Sequence, residues 1–124
     1  MDVLHAAVWV SDLEGTVAFY EELLGLEYSR ETVSSDGVRN YFMTGESDAE
    51  IQFKHDDRKD VTIEPGTMDH LAVATDDVDA TAERAVEEWG SEVVDGPRTL
   101  EDAGARIAFI TDPEGYTVEI IEKL

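Results

Sequence analysis

Two stretches of the chain, His5-Ala-Ala-Val-Trp-Val-Ser-Asp-Leu and His70-Leu-Ala-Val-Ala-Thr-Asp-Asp-Val, repeat one order of residue types 65 positions apart. Behind each, apolar residues fall at helical spacing: Leu13, Val17, Tyr20 and Leu24 in the first copy, Val78, Ala82, Ala85 and Trp89 in the second, every pair at the same offset. Ser11 or Asp12 and Asp76 or Asp77 supply N-terminal caps, while Gly25 and Gly90 stand where a helix ends on a left-handed residue. The ends of the copies match when Arg39-Asn-Tyr-Phe-Met-Thr is laid on Arg106-Ile-Ala-Phe-Ile-Thr, an offset of 67 that places a small length change in the loops between.

This second alignment sets Gln52 opposite Glu119, each 13 residues beyond its arginine. Around Gln52, Ala49, Ile51 and Phe53 alternate with Glu50 and Lys54. Around Glu119, Thr117 alternates with Tyr116, Val118 and Ile120. A period of two marks half-buried strands. The Gly37 and Gly45 regions, Glu64-Pro65-Gly66, Gly96-Pro97 and Asp112-Pro113-Glu114-Gly115 read as turns. Each copy is then β-α-β-β-β, one over about 1–60 and the other over about 66–124. Neither is large enough to bury a core alone. The expectation is an α+β fold, a single domain over 1–124 in which two paired βαβββ modules form a curved sheet that cups a metal site.

Charge narrows what such a domain can bind. Thirty Asp and Glu against nine Lys and Arg give a formal charge of -21, which repels polyphosphate and argues against a nucleic-acid partner. The carboxylates are interspersed with periodic apolar positions, so they read as the solvated surface of a folded domain rather than as disorder. Molar salt, with a Debye length of about 3 Å, would relax the self-repulsion, and a halophilic origin is the corresponding expectation. No apolar run approaches the roughly 20 residues that span a bilayer, and no basic-then-apolar leader opens the sequence; a cytoplasmic protein with no membrane partner is expected. The chain has no Cys, which excludes thiolate nucleophiles and Cys-ligated metals. Any metal must be held by His, Asp, Glu or Gln.

His5 and His70 open the first strand of each copy, and Gln52 and Glu119 lie on the last. A lone His at a strand start is more often structural than a ligand, but two at matching positions of a repeat favour a site. Glu50 shares a strand face with Gln52 and competes with it, yet the alignment pairs Glu50 with Thr117. Two imidazoles, a carboxamide oxygen and a carboxylate make an N2O2 set suited to Ni, Co, Mn, Fe(II) or Zn rather than Cu(I). Octahedral coordination would leave two adjacent positions for vicinal oxygens of a substrate, with Glu119, the one acid of the four, as base. His55 has no counterpart in the second copy and reads as an edge or pocket residue. Trp9, Trp89 and Phe19 sit in apolar-periodic segments and read as core, although Trp9 alternates onto the face of His5.

These segments resemble a known family. His5 through Tyr28, with Phe19-Tyr20 and Leu23-Leu24-Gly25-Leu26, is similar to the opening of bacterial glyoxalase I. Asp69-His70-Leu71-Ala72-Val73 and Ile107-Ala108-Phe109 through Asp112-Pro113-Glu114-Gly115-Tyr116-Thr117-Val118-Glu119 are similar to its second half. The resemblance covers nearly the whole chain and places it in the vicinal oxygen chelate (glyoxalase, bleomycin resistance, extradiol dioxygenase) superfamily. It implies paired βαβββ modules, a homodimer, a small-molecule substrate and one divalent metal per site, Ni or Co by preference, with Zn, Mn or Fe as alternatives.

The implied activity is of the lactoylglutathione lyase type, converting the hemithioacetal of methylglyoxal and a small thiol to an S-lactoyl thioester. The family's ligands map onto His5, Gln52, His70 and Glu119. Bacterial glyoxalase I usually carries Glu where this chain has Gln52, which leaves one basic carboxylate. At Trp9 and Asp56 glutathione-using members place Arg and Asn; neither is present, and glutathione recognition is not implied. Arg30, Arg39, Arg98 and Arg106 are the cations left to meet an anionic thiol, or to form salt bridges. Relatives supply the alternatives. Methylmalonyl-CoA epimerase has the same ligand order but a longer, Lys-containing final hairpin. Fe(II) extradiol-type dioxygenases use only the two His and the last Glu. Drug-binding members need no metal.

Overall fold

A computed structural model describes residues 1–124, which fall into two compact units, Met1–Ile63 and Glu64–Leu124. The first unit contains β1 (His5–Trp9), α1 (Leu13–Ala18), β2 (Glu27–Val33), β3 (Arg39–Thr44) and β4 (Glu50–His55). The second contains β5 (Leu71–Ala74), α2 (Val78–Trp89), β6 (Val93–Leu100), β7 (Ala105–Thr111) and β8 (Thr117–Lys123). Each is a βαβββ module, and the fold is α+β. Within each, the first strand pairs in parallel with the last, giving sheet orders β1-β4-β3-β2 and β5-β8-β7-β6. That parallel pairing needs the helical crossover, and it sets the first strand's residues beside those of the last. No helix is long and apolar enough to cross a membrane.

The alternation read from sequence becomes the two faces of each sheet. In the first unit Met43, Ile51 and Phe53 point to the helix side with Val10, Leu13, Phe19, Tyr20 and Leu23, and all are buried. Phe53 is 0% exposed and its ring lies 5.1 Å from that of Tyr20. In the second unit Val78, Ala82 and Ala85 of α2 are buried with Ala108, Ile110, Val118 and Ile120. These small helix residues let the helix approach the sheet closely. The opposite face of each sheet carries His5, Ala7, Gln52 and Phe42, or His70, Ala72, Glu119 and Phe109.

The helix ends follow the sequence signals. Of the alternatives, Asp12 and Asp77 are the caps, accepting from the backbone N–H of Gly15 and Ala80 at 3.0 Å each. Gly25 and Gly90 are both left-handed, at φ 71 and 65. The first helix departs from expectation, because α1 gives way at Phe19–Leu23 to a π-helical turn. Widening the helix by a residue sets the adjacent rings of Phe19 and Tyr20 both on the core side, and buries Leu23 where the α-helical period selected Leu24.

Gly96-Pro97 is not a turn but lies inside β6, where the register against β7 shifts between Asp95 and Arg98. Gly96 has φ 82, and a Cβ there would stand 2.7 Å from the carbonyl oxygen of Ile107. Only glycine fits so close to the neighbouring strand, and the bulge absorbs the proline's missing donor. The Asp112 turn is as expected: its Oδ1 accepts from the backbone N–H of Glu114 and Tyr116 at 2.9 Å each, and Gly115 has φ 90.

Candidate metal half-sites

Strand pairing places the four sequence-selected positions two by two. In β1 and β4, Ala7 is the partner of Gln52 and His5 of Glu50. In β5 and β8, Ala72 is the partner of Glu119, and His70 lies one residue before the strand. The third strand completes the correspondence, with Phe42 opposite Gln52 and Phe109 opposite Glu119. The His5 ring meets Phe42 edge-on, centroids 5.3 Å apart at 87°. The His70 ring meets Phe109 in the same way, at 5.6 Å and 88°. An imidazole braced against an aromatic wall, beside an oxygen donor, is thus built twice by the same strand register.

The second unit brings its two donors together, His70 Nε2 lying 3.4 Å from Glu119 Oε1. The other ring nitrogen, Nδ1, is 2.6 Å from the Asp69 carboxylate. An Nδ1–H donating to Asp69 leaves the Nε2 lone pair directed to the Glu119 side. This is the arrangement in which a carboxylate orients a ligating histidine. The Asp69 side chain is 96% exposed, so its contact steers the ring and adds little to stability. Glu119 is largely withdrawn from solvent, at 16% side-chain exposure.

In the first unit Gln52 is buried at 9% exposure, and its Nε2 donates to Asn40 Oδ1 at 2.8 Å. Asn40 is itself fixed by donating to the Val38 carbonyl at 3.1 Å. The amide nitrogen is committed, and the carbonyl oxygen is the end presented as a donor atom to a cation. Glu50 is engaged differently. It accepts from Ser29 Oγ at 2.6 Å and lies 3.6 Å from Arg30. The Ser29 hydrogen bond, with Arg30 beside it, holds its carboxyl below the usual range. No group of three or more His, Asp or Glu side chains gathers around one point. Each unit offers one imidazole and one oxygen, a donor pair whose chemistry suits a borderline divalent cation.

His55 ties the end of β4 to the chain after β1, its Nδ1 3.1 Å from the Val10 carbonyl and its Nε2 2.8 Å from Asp57. Phe19 is core and Trp89 is half-buried, but Trp9 is 40% exposed on the His5 face and is not core. Strand alternation outweighed its hydrophobicity. Asp56 is 1% exposed and accepts from the backbone and side chain of Arg58. That side-chain hydrogen bond holds its carboxyl below the usual range, and it is occupied in bracing a loop. Arg39, Arg98 and Arg106 pair with Glu31, Asp95 and Asp79 at 3.0, 2.9 and 2.6 Å.

Sequence reasoning missed Asp69, Asn40 and the two aromatic walls. Phe42 and Phe109 were within reach, since they match at the offset of 67. Asp69 and Asn40 have Leu4 and Ile107 at their repeat positions, so symmetry carried no signal for them.

Residues 2–120 match the family described as the glyoxalase/bleomycin resistance protein/dioxygenase superfamily. The chain is 32% identical to a lactoylglutathione lyase of Haemophilus influenzae, covering 98% of this chain and 93% of that one. Among solved structures, a mutant glyoxalase I from Zea mays superposes with a TM-score of 0.79 at 27% identity, over 97% of this chain but only 44% of the longer maize protein. An antibiotic binding protein from a Streptomyces species superposes at 0.74 with 28% identity, over 100% of this chain and 97% of that one.

Proposed function

The chain belongs to the glyoxalase/bleomycin resistance protein/dioxygenase superfamily, and from that premise we propose that it is a metal-dependent glyoxalase I-like isomerase. Its substrate is the hemithioacetal of methylglyoxal and a small thiol, and its product an S-lactoyl thioester. His5, Gln52, His70 and Glu119 are the ligands of one divalent cation, each module supplying an imidazole and an oxygen. Ni or Co is favoured by the family resemblance, with Zn, Mn or Fe also suited to the donors. The observation that carries this reading is the pairing of His70 with Glu119 at 3.4 Å beside Phe109, repeated in plan by His5, Gln52 and Phe42.

The cation, when bound, supplies Lewis-acid stabilisation of the negative charge that develops on the substrate's two vicinal oxygens. The residues do the rest. Glu119 removes the proton from the carbon bearing sulfur and hydroxyl, and that C–H electron pair moves toward the adjacent carbonyl. The same carboxyl returns the proton to the neighbouring carbon, while the hydroxyl proton passes to the former carbonyl oxygen as the thioester C=O forms, so the reaction is an internal redox exchange with no external oxidant. Asp69 keeps the His70 ring turned toward the site, and Asn40 keeps the Gln52 amide turned likewise. Exposure of His5, Ala6 and Ala7, and of β2 along its whole length, supports a homodimer in which modules of two chains cover these strands.

The superposition on an antibiotic binding protein supports a second reading, a non-catalytic binding module. An assay of metal-reconstituted protein in molar salt, with methylglyoxal and several thiols, separates the two. Thioester formation that depends on added metal is expected. Activity with methylmalonyl-CoA instead would select the epimerase-like alternative. Turnover of neither substrate would leave the extradiol-type and binding readings.

A further inference from the structure

The chain has nine Lys and Arg among thirty carboxylates, and most of the cations are held by acids. Arg39, Arg58, Arg84, Arg98 and Arg106 each lie within 3.2 Å of a carboxylate oxygen. Lys54 and Lys123 are the two without an ion-paired carboxylate; Lys123 is exposed at the end of β8, whereas Lys54 lies within a sheet face. It is half-buried in β4, two residues beyond Gln52 and on the same face, with no carboxylate at ion-pair distance. Its Nζ donates instead to Asn40 Oδ1 at 2.9 Å, the atom that also receives the Gln52 amide. Its strand partner is Trp9, whose ring centroid is 5.4 Å from Nζ.

A partly desolvated ammonium in so acidic a chain would be expected to recruit a carboxylate. Here a neutral amide and an indole position it, one N–H is committed, and the other two have no protein acceptor. Such a group is arranged to receive an anion from outside, with the indole covering the ligand's apolar atoms. Same-face residues on a strand are about 7 Å apart, which sets the anion a few bonds from an atom bound beside Gln52.

Resting on the isomerase reading, we infer that Lys54, with Trp9 and Asn40, is a carboxylate-recognition subsite that selects a compact thiol bearing a carboxylate a few bonds from its sulfur. It lies on the unit where Trp9 and Asp56 stand in place of the residues that hold glutathione in the resembling family.

The test uses 3-mercaptopropionate as the anionic probe and 2-mercaptoethanol as the neutral one, in identical salt. In a W89F background Trp9 is the only indole, and its emission reports binding without methylglyoxal or turnover. The anionic probe should bind more tightly, K54Q should weaken it about tenfold, and K54R should restore it, as expected for loss of one charge-assisted hydrogen bond. In turnover, the ratio of kcat/KM for the two hemithioacetals should fall about tenfold in K54Q. Equal affinity for the two probes, binding of neither, or an unchanged K54Q overturns the subsite. Probe discrimination in a protein that turns over no hemithioacetal keeps the subsite and rejects the reaction; turnover without discrimination does the reverse.

Discussion

Replacing Glu119 with Gln should lower kcat by about 10²- to 10⁴-fold, the span by which a positioned general base accelerates proton transfer. That is roughly 3–5 kcal/mol of transition-state stabilisation. The substitution keeps shape and an oxygen donor while removing the basic lone pair, so the metal should be lost only in part. Because Gln52 stands where the resembling enzymes carry Glu, no second carboxylate among the four proposed ligands can take over. The comparison that isolates the role is Q52E, which adds a base and should retain turnover. Steady-state kinetics on metal-saturated protein reads both. Undiminished kcat in E119Q would remove Glu119 from the proton transfer.

The second large effect is on stability. Phe53 and Gln52 are neighbours on β4 but face opposite ways, Phe53 into the core against Tyr20 and Gln52 toward the face that carries His5. Phe53→Ala should destabilise the protein by about 3–5 kcal/mol, through lost burial and the cavity left behind. That is a large part of the roughly 5–15 kcal/mol available to a typical domain. Trp9→Ala, on the other face and 40% exposed, should cost under about 1 kcal/mol despite removing a larger ring. Denaturant midpoints at constant m-value, in matched salt, measure the difference. Similar losses from the two would mean that the assignment of faces is wrong.

The pattern of periods carried most of the fold. Two apolar helical stripes, two capping aspartates and two left-handed glycines recurring at one offset were enough to read βαβββ twice, because each is a local backbone requirement visible in residue type. What escaped depended on tertiary packing. The π-helical turn at Phe19–Leu23 arises from burying two adjacent aromatic rings. Gly96-Pro97 looks like a turn by composition but serves a bulge, since the neighbouring carbonyl, not the local sequence, demands glycine there. Hydrophobicity marks Trp9 as core, and strand alternation puts it on the face of His5.

The same division holds for the candidate site. His5, His70, Gln52 and Glu119 were legible through symmetry, since each has a partner in the other copy. Asp69 and Asn40, which orient His70 and Gln52, break the symmetry and could be found only from distances. Lys54 was legible as one strand residue among many. Its lack of a carboxylate partner is a property of the folded sheet.

His5, Gln52, His70 and Glu119 are proposed to hold one divalent cation. Elemental analysis of protein purified, reconstituted with Ni or Co and dialysed reads it directly. About one metal per chain is expected for the wild type, with near-complete loss in H70A and in E119A, which remove one of only two imidazoles or the sole carboxylate of the set, the donors that bind a borderline cation most strongly. Metal content equal in the wild type and both variants, or no retention by the wild type of Ni, Co, Mn, Fe or Zn, would contradict it.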